Sequence, residues 1–585
     1  MQGNQIKPPL SFSDKKSLIQ WSKQNPDFQW DIIVIGGGIV GAGVLREASK
    51  KGLNALLIEQ QDFSWGTSSR SSKMVHGGLR YIAQGDIKMT KHSLTEREHL
   101  LKEYPGLISR MGYYFLLKKG RFPGRFVMSL LLKIYDSLAG ISDNRYVHNK
   151  QLSMLFPSLK TEDLNGACYY TDTAVDDSRL VLRVLSEAKA FGGHIVNYLK
   201  ADGLHHCEET HKVSGVVVND ALLKQEDENS SAQVKVATRH NLPLKANVVV
   251  NATGAWADNL RMKVINEKRV RPLRGSHIVL SKQQLLVPDA LTLTHPQDNR
   301  AVFIYPWQNT TVVGTTDLDH SASLDLEPKI TEAEIDYLLE LVNENFNIAK
   351  LNRDDIISSY AGVRPIIGSD KSKDPSKERR DHAVWLDKGL ITVSGGKLTT
   401  FKLIARDVLE KASPYLSKRI QLLSEQASHK HDEEQLTEQL FCSKNSTVNN
   451  SETIHDEPLC DSVKYNANEL IYSQVYKNFI NKYGQHMHKE IKEFLYACEK
   501  EEYTMIESSC FCLADCRWAL RFESVVHLDD LLLRRTRLGL ILNNGGEAIL
   551  DKVQVLCQQE LNWTKKHWQE ELIRYRNIWK NNYFV

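Results

Sequence analysis

Asp31-Ile-Ile-Val-Ile35, then Gly36-Gly-Gly-Ile-Val-Gly41, then Asn54-Ala-Leu-Leu-Ile-Glu59 are the residues whose reading decides the fold. The first and last are short apolar runs of buried-strand type, and an apolar-patterned helix extends between them to about Lys51. Together they form a βαβ unit. Gly36, Gly38 and Gly41 satisfy G-x-G-x-x-G. The first permits a tight turn, the second lets backbone approach a pyrophosphate, and the third lets helix and strand pack closely. The helix N-terminus offers unpaired N–H groups and a positive dipole end to phosphates. Glu59 follows at the end of the second strand, about 20 residues on, where a carboxylate accepts hydrogen bonds from ribose hydroxyls. A glycine triplet alone would equally suit a helix-packing turn with Glu59 merely solvated. Flanking strands and the acidic residue favour dinucleotide binding.

Working outward, strand candidates return far downstream at Ala246–Asn251 and Gly389–Val393. Asn251-Ala-Thr-Gly-Ala255 ends one of them and Val393-Ser-Gly-Gly-Lys-Leu-Thr-Thr400 ends the other. Both ends bring glycine backbone toward the same ligand, as an extended cofactor needs. The fold class expected is therefore α/β. A Rossmann-like cofactor domain is assembled from separated segments, 31–115, 171–270 and 359–415. Segments 116–170 and 271–358 form an α+β cap over the substrate. A polar arm (1–30) precedes them, a linker (416–462), rich in Ser, Asn, Glu, His and Lys from 424, follows, and 463–585 forms a helical C-terminal domain.

The length of 585 residues implies two or three domains. A net charge of +3 is nearly balanced, so any basic partner surface is local, and no nucleic-acid partner is expected. Nine cysteines, an odd number, favour a reducing compartment over a disulfide framework. Cys510, Cys512 and Cys516 lack paired zinc spacing and read as helix cysteines, so no metal is expected. The first thirty residues hold no arginine and no apolar core of signal-peptide length, which argues against secretion and fits a mitochondrial transit peptide poorly. No stretch approaches the roughly 18 consecutive apolar residues of a spanning helix.

The run Gly66-Thr-Ser-Ser-Arg-Ser-Ser-Lys-Met-Val-His-Gly-Gly-Leu-Arg-Tyr81 resembles the signature of FAD-dependent glycerol-3-phosphate dehydrogenases. Arg274-Gly-Ser-His277, Tyr305-Pro-Trp307, Gly314-Thr-Thr-Asp317, Gly362-Val-Arg-Pro365, Arg380-Asp381, Gly395–Thr400 and Asp530-Leu-Leu-Leu-Arg-Arg-Thr-Arg537 continue the resemblance in order. It implies FAD, a cap over the flavin, oxidation of sn-glycerol 3-phosphate to dihydroxyacetone phosphate, and electron transfer to quinone at the inner face of the cytoplasmic membrane. A homodimer is compatible with it.

The reaction needs a cationic pocket for a phosphate dianion and a proton acceptor for the C2 hydroxyl. Arginine suits phosphate because its planar fork donates paired, charge-assisted hydrogen bonds. Arg80, Arg364 and Arg380 match the family's motifs, with Tyr81 as a hydroxyl donor. His76 is the acid–base candidate, its unperturbed pKa lying near operating pH. Lys397, at a Gly-Gly turn, suits the flavin N1–O2 edge or the substrate oxygen. Thr67, Ser68, Ser71 and Ser72 are expected to bond phosphate or flavin oxygens. Ala252, Gly254, Gly395, Gly396, Leu398 and Thr399 are expected to approach the cofactor, and His277 and Thr316 to line the pocket.

Between Glu103 and Asp136 no acidic residue occurs, while Arg110, Lys118, Lys119, Arg121, Arg125 and Lys133 do. Phe122, Phe126, Met128, Leu130, Leu131 and Leu132 interleave with the later cations. Residues 118–133 thus suit an amphipathic segment in the headgroup region of an anionic bilayer. A cap helix with a solvated basic edge is the plainer reading. Alternative activities are a glycerol-3-phosphate oxidase using oxygen and an amine or amino-acid oxidase on the same scaffold.

Overall fold

The computed structural model describes residues 15–83, 85–222, 241–368, 381–416, 467–506 and 509–585. Strand β1 (Gln29–Ile35) pairs in parallel with β2 (Ala55–Ile58), Ile32 opposite Ala55 and Ile35 opposite Ile58. Helix α1 (Lys15–Gln24) precedes β1, and α2 (Ile39–Lys50) crosses between the two strands. Leu242–Asn251 lies parallel on the other flank of β1, and Leu390–Gly395 lies parallel beyond it. His194–Val196 extends the sheet past β2. The separated segments therefore do meet in one sheet, as the downstream apolar runs suggested. Ile32, Ile33 and Val34 are fully buried because helices cover the sheet: α2, Asp177–Ala190 and Phe401–Ala412 on one face. Leu18 and Ile19 of α1 pack with Trp30 on the other face, so the expected polar arm becomes helical and partly buried from Lys15 onward.

A second, nine-stranded sheet is largely antiparallel. Glu332–Asn345 and Asn149–Leu155 cover one face of it, and the helix Arg125–Ala139 and the C-terminal domain cover the other. Its strands include Ile108–Lys118, Leu164–Val175 and Ile356–Ile367. The divisions expected at 115/116, 170/171 and 358/359 fall inside these strands. Polarity changes along a chain do not report which sheet a long strand joins. Ile356–Ile367 pairs with Val270–Ser281 from Val270↔Ile367 through Leu280↔Ile356, and this ladder carries Arg364 and His277.

The C-terminal domain comprises Ala467–Tyr483, His488–Ala497, Leu513–Phe522, Leu550–Leu561 and Lys565–Asn582. Phe479, Phe494 and Trp518 form an aromatic centre there. Cys516 is buried in Leu513–Phe522, and Cys512 immediately precedes that helix. All but the first residue of the expected 416–462 linker lies outside the described residues.

Candidate active site

The carboxyl ends of the parallel strands converge on one cavity of about 410 Å³. That is where open α/β sheets bind ligands, at the point where strand order reverses. Gly36, at φ +114°, turns the chain out of β1, and a Cβ there would stand 2.6 Å from the Ala252 carbonyl oxygen. At Gly41 a Cβ would lie 1.9 Å from the Gly36 carbonyl oxygen. The first and third glycines are thus required by backbone contact, and α2 is held end-on to the cavity. Ile39 N–H donates to Ser68 Oγ at 3.0 Å, so the signature loop lies across the helix N-terminus.

Gly36, Gly38, Glu59, Thr67, Ser68, Ser71, Ala252, Gly254, Gly395, Gly396, Lys397 and Leu398 all line this cavity. The Glu59 carboxyl accepts from Gly37 N–H at 2.7 Å and Gln61 N–H at 2.8 Å. Burial pushes its pKa up, against those two donors, which favour the ionised form. Gly41 stands one turn behind the cavity wall. Thr67 donates its hydroxyl to the Val363 carbonyl, and Ser71 donates both N–H and hydroxyl to Asp177, at 2.9 and 2.7 Å. Those hydroxyls hold the loop and keep only acceptor capacity for a ligand. Ser72 turns away from this wall and pairs with His277 Nε2 at 3.0 Å. Thr399 is buried and donates to the His76 carbonyl at 3.3 Å, which ties the Gly395–Thr400 turn to the signature loop.

Lys397 is the cation at the cavity wall nearest this junction. Its ammonium lies 3.7 Å above the Tyr81 ring centroid and 3.1 Å from Ser93 Oγ. A Cβ on Gly78 would be 3.6 Å from it, so this cation lies against the His76-Gly77-Gly78 run. Arg364 neighbours Pro365, which lines the cavity. Its guanidinium donates to Thr315 Oγ1 at 3.1 Å and pairs with Asp317 at 3.4 Å. Arg300 grips the other oxygen of Asp317 at 3.4 Å. His277 is fully buried, and its ring stacks on Tyr360 with centroids 4.7 Å apart. Burial, then the nearby Arg364 and Lys73 cations, hold its pKa far below 6.5, so the ring is neutral at pH 7. Thr316 is buried beside it and donates to Glu334. The Arg80 side chain and all of Arg380 lie outside the described residues.

Four contributors were not singled out as site residues from the sequence, although Asp317 closes one of the motifs quoted there. Trp65 and Trp256 line the cavity with centroids 5.9 Å apart. Asp317 orients Arg364, and Asp177 anchors Ser71. Trp65 stood one residue before the recognised run, so extending the motif would have found it. No local pattern marks Asp177.

The residues present fit FAD. Gly36 and Gly41 leave no room for side chains, the first residues of α2 line the cavity where a helix N-terminus favours phosphate, Glu59 lines it, and aromatic rings wall it. These features define a flavin-dependent oxidoreductase. Residues 31–408 match the family described as FAD dependent oxidoreductase, and 446–568 match the C-terminal domain of alpha-glycerophosphate oxidase. The aerobic glycerol-3-phosphate dehydrogenase of Staphylococcus aureus (strain USA300) is 34% identical over 410 residues, covering 69% of this chain and 70% of that protein. Among solved structures, the glycerol-3-phosphate dehydrogenase of Bacillus halodurans complexed with FAD superposes with a TM-score of 0.67 at 23% identity, covering 97% of each chain. The L-alpha-glycerophosphate oxidase of Mycoplasma pneumoniae with FAD bound gives 0.50 at 16%, over 66% of this chain and 94% of that one. The chain belongs to the FAD-dependent glycerol-3-phosphate dehydrogenase family.

Proposed function

We propose that the protein oxidises sn-glycerol 3-phosphate to dihydroxyacetone phosphate and passes the electrons to a membrane quinone. The observation that carries this reading is the presence of two cations at this site: Lys397 at the cavity wall, and Arg364, held by Asp317 and Thr315 next to the cavity-lining Pro365. A phosphate and an alkoxide-like oxygen each need such a cation. Bound FAD supplies the acceptor for the hydride that leaves C2. The protein's part is to hold the phosphate through Arg364, to steady the C2 oxygen through Lys397, and to take the hydroxyl proton. His76 in the signature loop suits that last role better than His277, whose protonation is opposed by burial and by the Arg364 and Lys73 cations. The assay that tests the reading offers sn-glycerol 3-phosphate with a quinone analogue and, separately, with oxygen. Bleaching of the flavin by anaerobic substrate supports it, and bleaching by glycine instead would move the protein to the amino-acid oxidases. Peroxide formation without quinone reduction would reassign the acceptor.

Arg364→Ala is expected to raise KM for the phosphate substrate by about 10- to 100-fold, the scale of charge-assisted hydrogen bonds lost. FAD should stay bound, because Arg364 engages Thr315 and Asp317 and is not part of the glycine turn. Unchanged kcat/KM would remove it from the site.

Residues 118–133 support a membrane-surface reading. Phe122 and Phe126 are 84% and 88% exposed, and Leu130 follows on the same face of the helix Arg125–Ala139. Arg125 lies over the Tyr146 ring and Arg121 bonds Asn299, both at the rim of this apolar face. Large exposed apolar side chains beside cations mark an interaction site. No described helix is long and apolar enough to cross a membrane. Replacing Arg121 and Arg125 by Glu should lower sedimentation with anionic vesicles by at least about tenfold, given about 1 kcal/mol per basic residue near such a surface. Equal sedimentation of variant and parent would count against the assignment.

A further inference from the structure

The Asp530–Arg537 stretch sits far from the glycine motif in sequence, yet its arginines reach the cofactor loop. Asp530–Arg535 is a π-helical turn, confirmed by Thr536 N–H donating to the Leu531 carbonyl at 2.9 Å. Such wide turns recur at functional sites. Here the turn lets two successive arginines grip one carboxylate. Arg534 Nε donates to Asp62 at 2.5 Å, and Arg535 forks onto both Asp62 oxygens at 2.5 and 2.7 Å. Arg537 follows in the left-handed conformation, at φ +58°. It pairs with Asp177, bonds Asp176 at 3.1 Å and donates to the Ser69 carbonyl at 3.2 Å. Asp177 in turn holds Ser71 and, at 2.9 Å, the Lys73 ammonium. Asp62, Lys73, Asp177, Arg534, Arg535 and Arg537 are all at most 2% exposed.

Asp62 and Lys73 bracket the segment that supplies Trp65, Gly66, Thr67, Ser68 and Ser71 to the cavity wall. The C-terminal domain thus grips both ends of the loop that closes over the cofactor site. Buried ion pairs roughly break even against apolar packing for stability, because desolvation consumes the Coulomb gain. Their return is a fixed geometry, and here the geometry fixed is that of the loop. We infer that Arg534, Arg535 and Arg537 are positioning residues for FAD: the C-terminal domain preorganises the 62–73 loop, and cofactor affinity depends on these arginines although none lines the cavity. The inference rests on the cofactor alone and is independent of the substrate.

The test is FAD titration of full-length apoprotein carrying Arg537→Met, read by flavin fluorescence. The expected result is a Kd raised at least tenfold, an altered visible circular dichroism of the bound flavin, and loss of amide-exchange protection across 62–73 in the apoprotein. A Kd within twofold of the parent, with 62–73 still protected, would overturn the inference even if the melting temperature fell. Should Arg537→Met fail to fold, Arg537→Lys keeps the charge against Asp177 but cannot also fork to Asp176 and Ser69. The same titration then decides, a raised Kd supporting the clamp and an unchanged one ending it.

Discussion

Gly41→Ala is expected to yield a colourless protein. The added methyl would meet the Gly36 carbonyl oxygen at 1.9 Å and its carbon at 3.1 Å. Both are backbone atoms, so no side chain can swing aside. Either α2 moves away from β1 or the turn at Gly36 reopens, and each displaces the N–H groups that face the pyrophosphate position. Gly36 cannot absorb the shift, since it is wedged against the Ala252 carbonyl at φ +114°. Overpacking of this kind costs about 1–3 kcal/mol, which, spent against cofactor binding, weakens FAD by up to about 100-fold. Gly124→Ala is the control, because nothing lies within 4 Å of a Cβ there and its φ is −78°. The check is the flavin absorbance of purified protein, followed by titration of FAD into the apoprotein. Stoichiometric yellow cofactor in Gly41→Ala, at parent affinity, would remove the close-packing argument.

How much of this was legible beforehand follows the range of the interactions involved. The βαβ unit was readable because its signals are local: two buried apolar runs, a glycine turn and an acid at fixed spacing. The downstream strands were readable in part for the same reason: the candidates Ala246–Asn251 and Gly389–Val393 hold short apolar runs that lie within the strands Leu242–Asn251 and Leu390–Gly395. Ser72 shows the limit. It directly follows Ser71, which lines the cavity, yet its own side chain pairs with His277. Position in a motif gave its neighbourhood but not its direction. The ionic contacts between Asp62 and Arg535, or Asp177 and Arg537, span several hundred residues of chain. No periodicity encodes them, and the resemblance of Asp530–Arg537 to its family marked that stretch without saying what it touches. The 84% and 88% exposure of Phe122 and Phe126 likewise needed the fold, because an apolar helix face in a sequence reads equally as core.

Lys397→Met is expected to slow flavin reduction at saturating substrate by about 10²- to 10³-fold, the scale on which one preorganised electrostatic donor acts. The argument begins with the turn that aims the side chain. Gly395 and Gly396 both sit at φ +79°, and Lys397 then precedes the short turn Leu398–Thr400. Tyr81 beneath the ammonium and Ser93 beside it fix its position before any ligand arrives. A charge held this way needs no reorganisation when negative charge develops on the C2 oxygen or on the cofactor edge. Methionine keeps the length and the contact with Tyr81 but removes the charge, so packing should survive and FAD should remain bound. Because the lost interaction strengthens toward the transition state, kcat should fall far more than KM rises. Lys397→Arg separates charge from shape: it restores a cation over Tyr81 and should recover part of the rate. Stopped-flow bleaching of the flavin under anaerobic conditions measures each value. A Lys397→Met rate within threefold of the parent would mean that this cation only supports the turn, and the burden of charge stabilisation would pass to the arginines.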